Sequence, residues 1–313
     1  MIKRSKDQKI KVSAPGKLLL FGDHAVVYGY PCIVTAMDTR MYVTVEFING
    51  NNDQVIAPQV KETKFVIETL NLFKKKFNIN SSVKVTTNGD FSHRVGLGSS
   101  SAVTVALVEG LSKLFNINLS KGEIFKLSYQ IVLNIQKVGS GFDVAAATYG
   151  GIIYYIKGGK KIEKIKSSRL PLVVGYSGVK ADTPTLINKV RQEYNKSRAK
   201  LDSLFKQMTL IVDKASISLK NKDYQQLGLL MTKNHNLLQK LGVSTPLLDK
   251  MCKSAISNGA WGAKLSGAGG GDCMIALVNE DRKKSVEKAI TESGGEIINV
   301  KTNAEGVRTE RDQ

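Results

Sequence analysis

Gly96-Leu97-Gly98-Ser99-Ser100-Ser101 runs directly into an apolar stretch, Ala102 to Phe115, whose spacing reads as a helix. Two glycines let the backbone take positive φ and approach a ligand closely. Serines follow where a helix N-cap belongs. The start of such a helix offers unpaired N–H groups and the positive end of the helix dipole, so it suits an anion. A serine hydroxyl there can also bind a magnesium ion that bridges phosphates. The stretch is not a Walker A motif, because Gly-x4-Gly-Lys-Ser/Thr is missing. It is not a dinucleotide fingerprint either, because the third glycine is missing. Taken alone, it reads equally well as an ordinary capped turn between strand and helix.

Other stretches carry complementary chemistry. Ser13-Ala14-Pro15-Gly16-Lys17-Leu18-Leu19-Leu20-Phe21-Gly22-Asp23-His24 embeds a lysine in apolar sequence, where its charge is costly unless paired. On its own, Lys17 also fits a strand edge, and His24 fits a hydrogen-bonded core histidine. Lys264 to Asp272, with Gly267, Gly269, Gly270 and Gly271, joins two apolar strands. Its free N–H groups could form an anion-binding nest; the alternative is a flexible hairpin, whose glycines cost entropy for no structural return. Val138-Gly139-Ser140-Gly141-Phe142-Asp143 places an acid after a glycine turn, either as a helix cap or as a general base. Phosphoryl transfer needs a cradle, a base and a cation gathered from separate segments, and these stretches hold all of them.

The chain has 313 residues, 42% hydrophobic and 23% charged, which suits one large or two ordinary soluble domains. Three scattered cysteines, Cys32, Cys252 and Cys273, show no metal-ligand spacing, so a reduced, cytoplasmic setting is expected. Met1 to Lys6 is basic but no apolar signal core follows, and no apolar run is long enough for a bilayer. The net charge of +19 is spread over most elements without interleaved aromatics. It reads as a solvated surface that steers anionic substrates, so neither nucleic acid nor membrane is expected as a partner.

Strands are expected at Ile10–Ser13, Tyr42–Phe47, Val83–Thr86, Ile152–Ile156, Leu172–Tyr176, Ala263–Leu265, Met274–Val278 and 296–301. Helices are expected from Lys61 to Phe77, from a Ser120/Glu123 capping box, and from Arg282 to Thr291. Thr183-Pro184 and Thr245-Pro246 each read as an N-cap with proline at the first helical position. Composition shifts near 168–182, giving domains 1–170 and 171–313, and the last dozen polar residues read as frayed.

Together the motifs resemble the GHMP kinase superfamily over Lys11 to Val278. Within it, the first and third stretches, with Leu241 to Pro246, are similar to the mevalonate kinase family. The resemblance implies an α+β fold of two lobes, a ribosomal-S5-like N-terminal ATP-binding domain and a ferredoxin-like C-terminal domain. It implies ATP and Mg2+ as cofactors, and mevalonate, phosphorylated on its 5-hydroxyl, as the small-molecule partner; it allows a homodimer. Carried over by residue, Gly96, Leu97, Gly98, Ser99, Ser100 and Ser101 bind ATP, and Ser100 also binds the metal. Asp143 takes the hydroxyl proton and Lys17 stabilises charge. Asp23, His24, Gly141, Gly269 and Gly270 face the substrate. Val132 stands where the family often has a magnesium-binding glutamate, and Ser92-His93-Arg94 where it usually has two prolines. The contexts of Asp143 and Asp272 resemble phosphomevalonate kinases, which makes that the alternative activity. A non-catalytic nucleic-acid binder is the distant one.

Overall fold

The computed structural model describes residues 8–59, 63–90 and 96–310. The basic start Met1–Lys6, the expected helix start at Lys61, and Ser92-His93-Arg94 lie outside them.

Two long strands, β1 (Lys9–Phe21) and β2 (Pro31–Phe47), form the antiparallel spine of the first sheet. Each outruns its sequence-based expectation. Pro15, Gly16 and Lys17 do not end β1; the ladder slips between Pro15 and Lys17 and then resumes. Such a bulge accommodates a proline that cannot donate to the ladder. Beyond it, side chains alternate between two cores. Leu19 joins Val12 and Ala14 beneath the helices, whereas Leu18 and Leu20 face the second lobe. This explains the unbroken apolar run, because a strand buried on both faces loses polar alternation.

Strands β3 (Gln54–Ile56), β4 (Val83–Gly89), β5 (Ile152–Ile156) and β6 (Lys161–Ile165) complete this sheet along the edge of β2 opposite β1, β5 and β6 at its start and β4 and β3 at its end. Helices α1 (Lys64–Phe77), α2 (Ser99–Leu114), α3 (Lys121–Gln136) and α4 (Phe142–Tyr149) pack against it. Ser120 and Glu123 form the expected capping box of α3.

The second sheet contains β7 (Leu172–Tyr176), β8 (Ala260–Ser266), β9 (Cys273–Val278) and β10 (Glu296–Ile298), antiparallel in the order β10-β7-β9-β8. That order is the ferredoxin-like one. Helices α5 (Thr183–Lys196), α6 (Arg198–Asn221), α7 (Tyr224–Lys240) and α8 (Pro246–Ser257) lie between β7 and β8 in the chain, and α9 (Glu280–Glu292) between β9 and β10. Thr245 caps α8 as expected. Thr183 does not cap α5: the adjacent Asp182 does, accepting from Thr185 N–H, so Thr183 is already helical. A carboxylate is the stronger acceptor at the positive end of a helix. Among the described residues, no helix is long and apolar enough to cross a membrane.

Residues 302–310 are not frayed. After β10 the chain returns to the first sheet, where Thr302 bridges Met37, Glu305 bridges Gly150, and β11 (Arg308–Thr309) pairs with β1. Residues 302–309, within a unit drawn as 171–313, therefore pair with the first sheet. Arg40, 4% exposed, fastens them. Its guanidinium donates to Glu305 O at 2.8 Å, Gly306 O at 2.7 Å and Ser13 O at 3.0 Å. A polar tail gives no sign of such docking, because its partner is an arginine in a distant strand. Arg40→Met removes the donors from several buried carbonyls, and should lower the urea-unfolding free energy by about 2–4 kcal/mol. An unchanged unfolding midpoint would show that the tail contributes no stability.

Candidate active site

A cavity of about 770 Å³ opens between the lobes. Its floor is the 96–101 loop. Gly96 and Gly98 both hold positive φ, +70° and +85°. Gly98, not a serine, is the N-cap of α2, and no side chain caps this end. Ser99, Ser100 and Ser101 therefore form the first helical turn, whose N–H groups lie ahead of the first ladder bond from Ala102 to Gly98 O. Ser99 and Ser100 line the cavity, and their hydroxyls make no hydrogen bond to any described residue.

Lys17 meets this loop twice. Its N–H donates to Leu97 O at 2.9 Å and its ammonium to Gly96 O at 2.8 Å. The aliphatic stem lies against Gly98, where a Cβ would sit 2.9 Å from Lys17 Cγ. Phe142 lies 5.6 Å from the ammonium, ring centroid to Nζ. The bulge in β1 thus delivers a cation to the 96–101 loop.

Asp143 stands opposite, in the first turn of α4. It does not cap the helix; Gly141 holds that place at φ +88°. Its Oδ2 instead accepts a 2.6 Å hydrogen bond from the Ser101 hydroxyl on α2. The loop before it is fixed from beneath by two tyrosines: Tyr155 donates to Ser140 O at 2.6 Å and Tyr129 to Gly139 O at 3.0 Å. Burial raises both phenol pKa values, so these donors stay protonated. A Cβ on Gly141 would meet both rings within 2.9 Å, so glycine is needed for this packing.

Asp23 and His24 part company. His24 lines the cavity, but Asp23 is fully buried and does not. Lys264 Nζ, equally buried, lies 2.8 Å from Asp23 Oδ2, and Gly267 N–H donates to Oδ1 at 2.8 Å. The ammonium approaches Oδ2 off the hydrogen-bond direction, so this is a charge contact. Asp23 therefore anchors the third glycine stretch from behind. His24 Nε2 lies 2.7 Å from Ala268 O. A carbonyl only accepts, so Nε2 carries the proton and the neutral ring keeps Nδ1 as an acceptor. Gly267 and Ala268 line the cavity; Gly269 and Gly270 lie outside its wall, Gly270 donating to Val243 O at 2.8 Å.

Sequence reasoning gave no role to several residues found here. Asp272, 7% exposed, accepts from Ala181 N–H at 3.0 Å and leaves no room for a Cβ on Gly96. Burial raises its carboxyl pKa. Lys64 and Lys180 add cations to the rim, and Phe65, Val132, Ile135 and Val138 give an apolar wall. Val132 leaves no carboxylate at its position, and the described residues contain no cluster of three or more metal-ligating side chains. A cation here would be held by the Ser100 hydroxyl and by oxygens that a ligand brings.

A helix N-terminus, a lysine and a carboxylate surround one cleft between two α+β lobes. The chain belongs to the GHMP kinases: the model of their N terminal domain matches residues 64–151 and that of their C terminal domain residues 215–296. It is 36% identical to a mevalonate kinase of Thermococcus sibiricus, covering 96% of this chain and 98% of that one. The solved mevalonate kinase of L. major, in complex with R-mevalonate, superposes with a TM-score of 0.83 at 28% identity over 97% of this chain and 98% of that one. The phosphomevalonate kinase of Streptococcus pneumoniae, solved with phosphomevalonate and AMPPNP, superposes at 0.83 over 94% and 99% with 20% identity, which is a likeness of fold alone.

Burial lowers the pKa of His24 below its ordinary 6.5, an effect the Ala268 carbonyl and Asp23 only partly offset. His235 is lowered by the same cause. Below about pH 6.5 the unfolded chain takes up protons that the folded one refuses, so stability is lost as pH falls through that value. The thermal midpoint should drop between pH 7 and pH 5.5, and less steeply in His24→Gln. Identical slopes in the two proteins would show that His24 does not contribute.

Proposed function

We propose that the protein transfers the γ-phosphoryl group of ATP to the 5-hydroxyl of mevalonate. The observation that carries this reading is the whole-length likeness to mevalonate kinases, joined to a cavity where Lys17, Asp143 and the N-terminus of α2 converge. The apolar wall of Phe65, Val132, Ile135 and Val138 suits a purine ring. The first-turn N–H groups of α2 receive the phosphates. The Ser100 hydroxyl would help to hold Mg2+, which would supply charge neutralisation at the phosphates.

Asp143 accepts the proton of the 5-hydroxyl as that oxygen bonds to the γ-phosphorus. The bond from phosphorus to the bridging oxygen breaks, and ADP leaves with the electron pair. Lys17 lies close enough to the phosphate loop to balance the charge that develops. The neutral His24 offers Nδ1 to a substrate hydroxyl, and Lys180 supplies a rim cation for the carboxylate.

Turnover of ATP with mevalonate and with 5-phosphomevalonate tests the reading. Activity on mevalonate is expected, and activity on the phosphorylated acceptor alone would overturn it. Asp143→Asn should lower kcat by about two to four orders of magnitude with ATP binding retained. Near-normal kcat would remove Asp143 from the chemistry.

A further inference from the structure

Ser101 reads from the sequence as part of the phosphate cradle, but its side chain is otherwise engaged. The hydroxyl lies 2.6 Å from Asp143 Oδ2 and the residue is 1% exposed. That distance falls in the range of an O–H···O⁻ bond. The serine hydroxyl is the donor, and it has one proton to give. It is also the only hydrogen bond made to the Asp143 side chain by the described residues. The carboxylate's terminal torsion is intrinsically loose, with broad wells.

We propose that Ser101 is a positioning residue for the base: its hydroxyl holds the Asp143 carboxylate in place, and only its N–H serves the phosphates. This deepens the kinase reading above and rests on it. Oδ2 is occupied by the serine, which leaves Oδ1 to take the substrate proton. Ser101 keeps its own proton throughout.

The arrangement joins two parts of the site through one helical turn. Ser99 and Ser100 line the cavity with hydroxyls that bond no described residue, while the next residue reaches across to α4. The base is thereby registered against the same turn that should hold the phosphoryl donor. A change of about 1 Å in such a register is enough to cost a large factor in rate.

Ser101→Ala tests the proposal, read as steady-state constants and as single-turnover rates in the Asp143→Asn background. The expected result is a kcat about tenfold lower with KM for ATP and for mevalonate nearly unchanged. In the Asp143→Asn background the same substitution should cause no further loss, because a residue that acts through another is silent once that other is gone. Ser101→Thr keeps the hydroxyl and should recover most of the rate. Wild-type kcat in Ser101→Ala would overturn the proposal. A raised KM for ATP at constant kcat would return the hydroxyl to the phosphates. A full additional loss in the Asp143→Asn background would show a purely structural role. A wild-type enzyme inert toward mevalonate but active on another acceptor would contradict the substrate reading alone, and the same comparison is then made with that acceptor.

Discussion

The buried ion pair of Asp23 and Lys264 is the contact on which the site depends. Both side chains are fully buried and their charges lie 2.8 Å apart. Burying two ions is expensive, and removing one partner strands the other without compensation. Here the pair joins the end of β1 in one lobe to the end of β8 in the other. Around it, Ser266 exchanges hydrogen bonds with Leu19, Gly267 donates to Asp23, and His24 meets Ala268. The first and third glycine-rich stretches therefore meet as one seam. One wall of the cavity is that seam, and Lys17 sits on the same strand.

From this seam the division of labour follows. The first lobe supplies the uncapped N-terminus of α2, the lysine on the bulge of β1 and the carboxylate on α4. The second supplies the rim: Gly267 and Ala268 on one side, Lys180 to Pro184 on another. Asp272 ties those two sides together through Ala181 and abuts Gly96. A kinase of this family thus builds its site from backbone turns and few side chains, in keeping with a reaction that mainly needs positioning and charge balance. The scattered net charge of +19 adds a general attraction for anionic ligands.

The sequence was most legible where a local rule settles the outcome. The Ser120/Glu123 box and the Thr245 cap each need only four adjacent residues. The glycines before α2 were equally plain, but their order was not: Gly98 took the cap, so the serines moved into the helix. Thr183 lost its cap to Asp182 for a similarly local reason. The role of Asp23 was out of reach, because an acid after a glycine turn looks the same whether it faces a ligand or a buried lysine. Its partners in the third stretch lie as far as 244 residues away. The docking of the tail on Arg40 failed to show for the same reason, and the Ser101 to Asp143 bond links helices whose approach no periodicity reveals.

The most direct measurement is a double-mutant cycle on the seam, with urea unfolding of Lys264→Met, Asp23→Leu and the combined variant. The account expects Lys264→Met alone to lose about 3–5 kcal/mol, since it leaves a carboxylate buried and unpaired. The combined variant, with no buried charge, should be more stable than either single one. Kinase activity should fall in all three, because the seam positions the cavity wall. A Lys264→Met protein with wild-type stability and turnover would contradict the account.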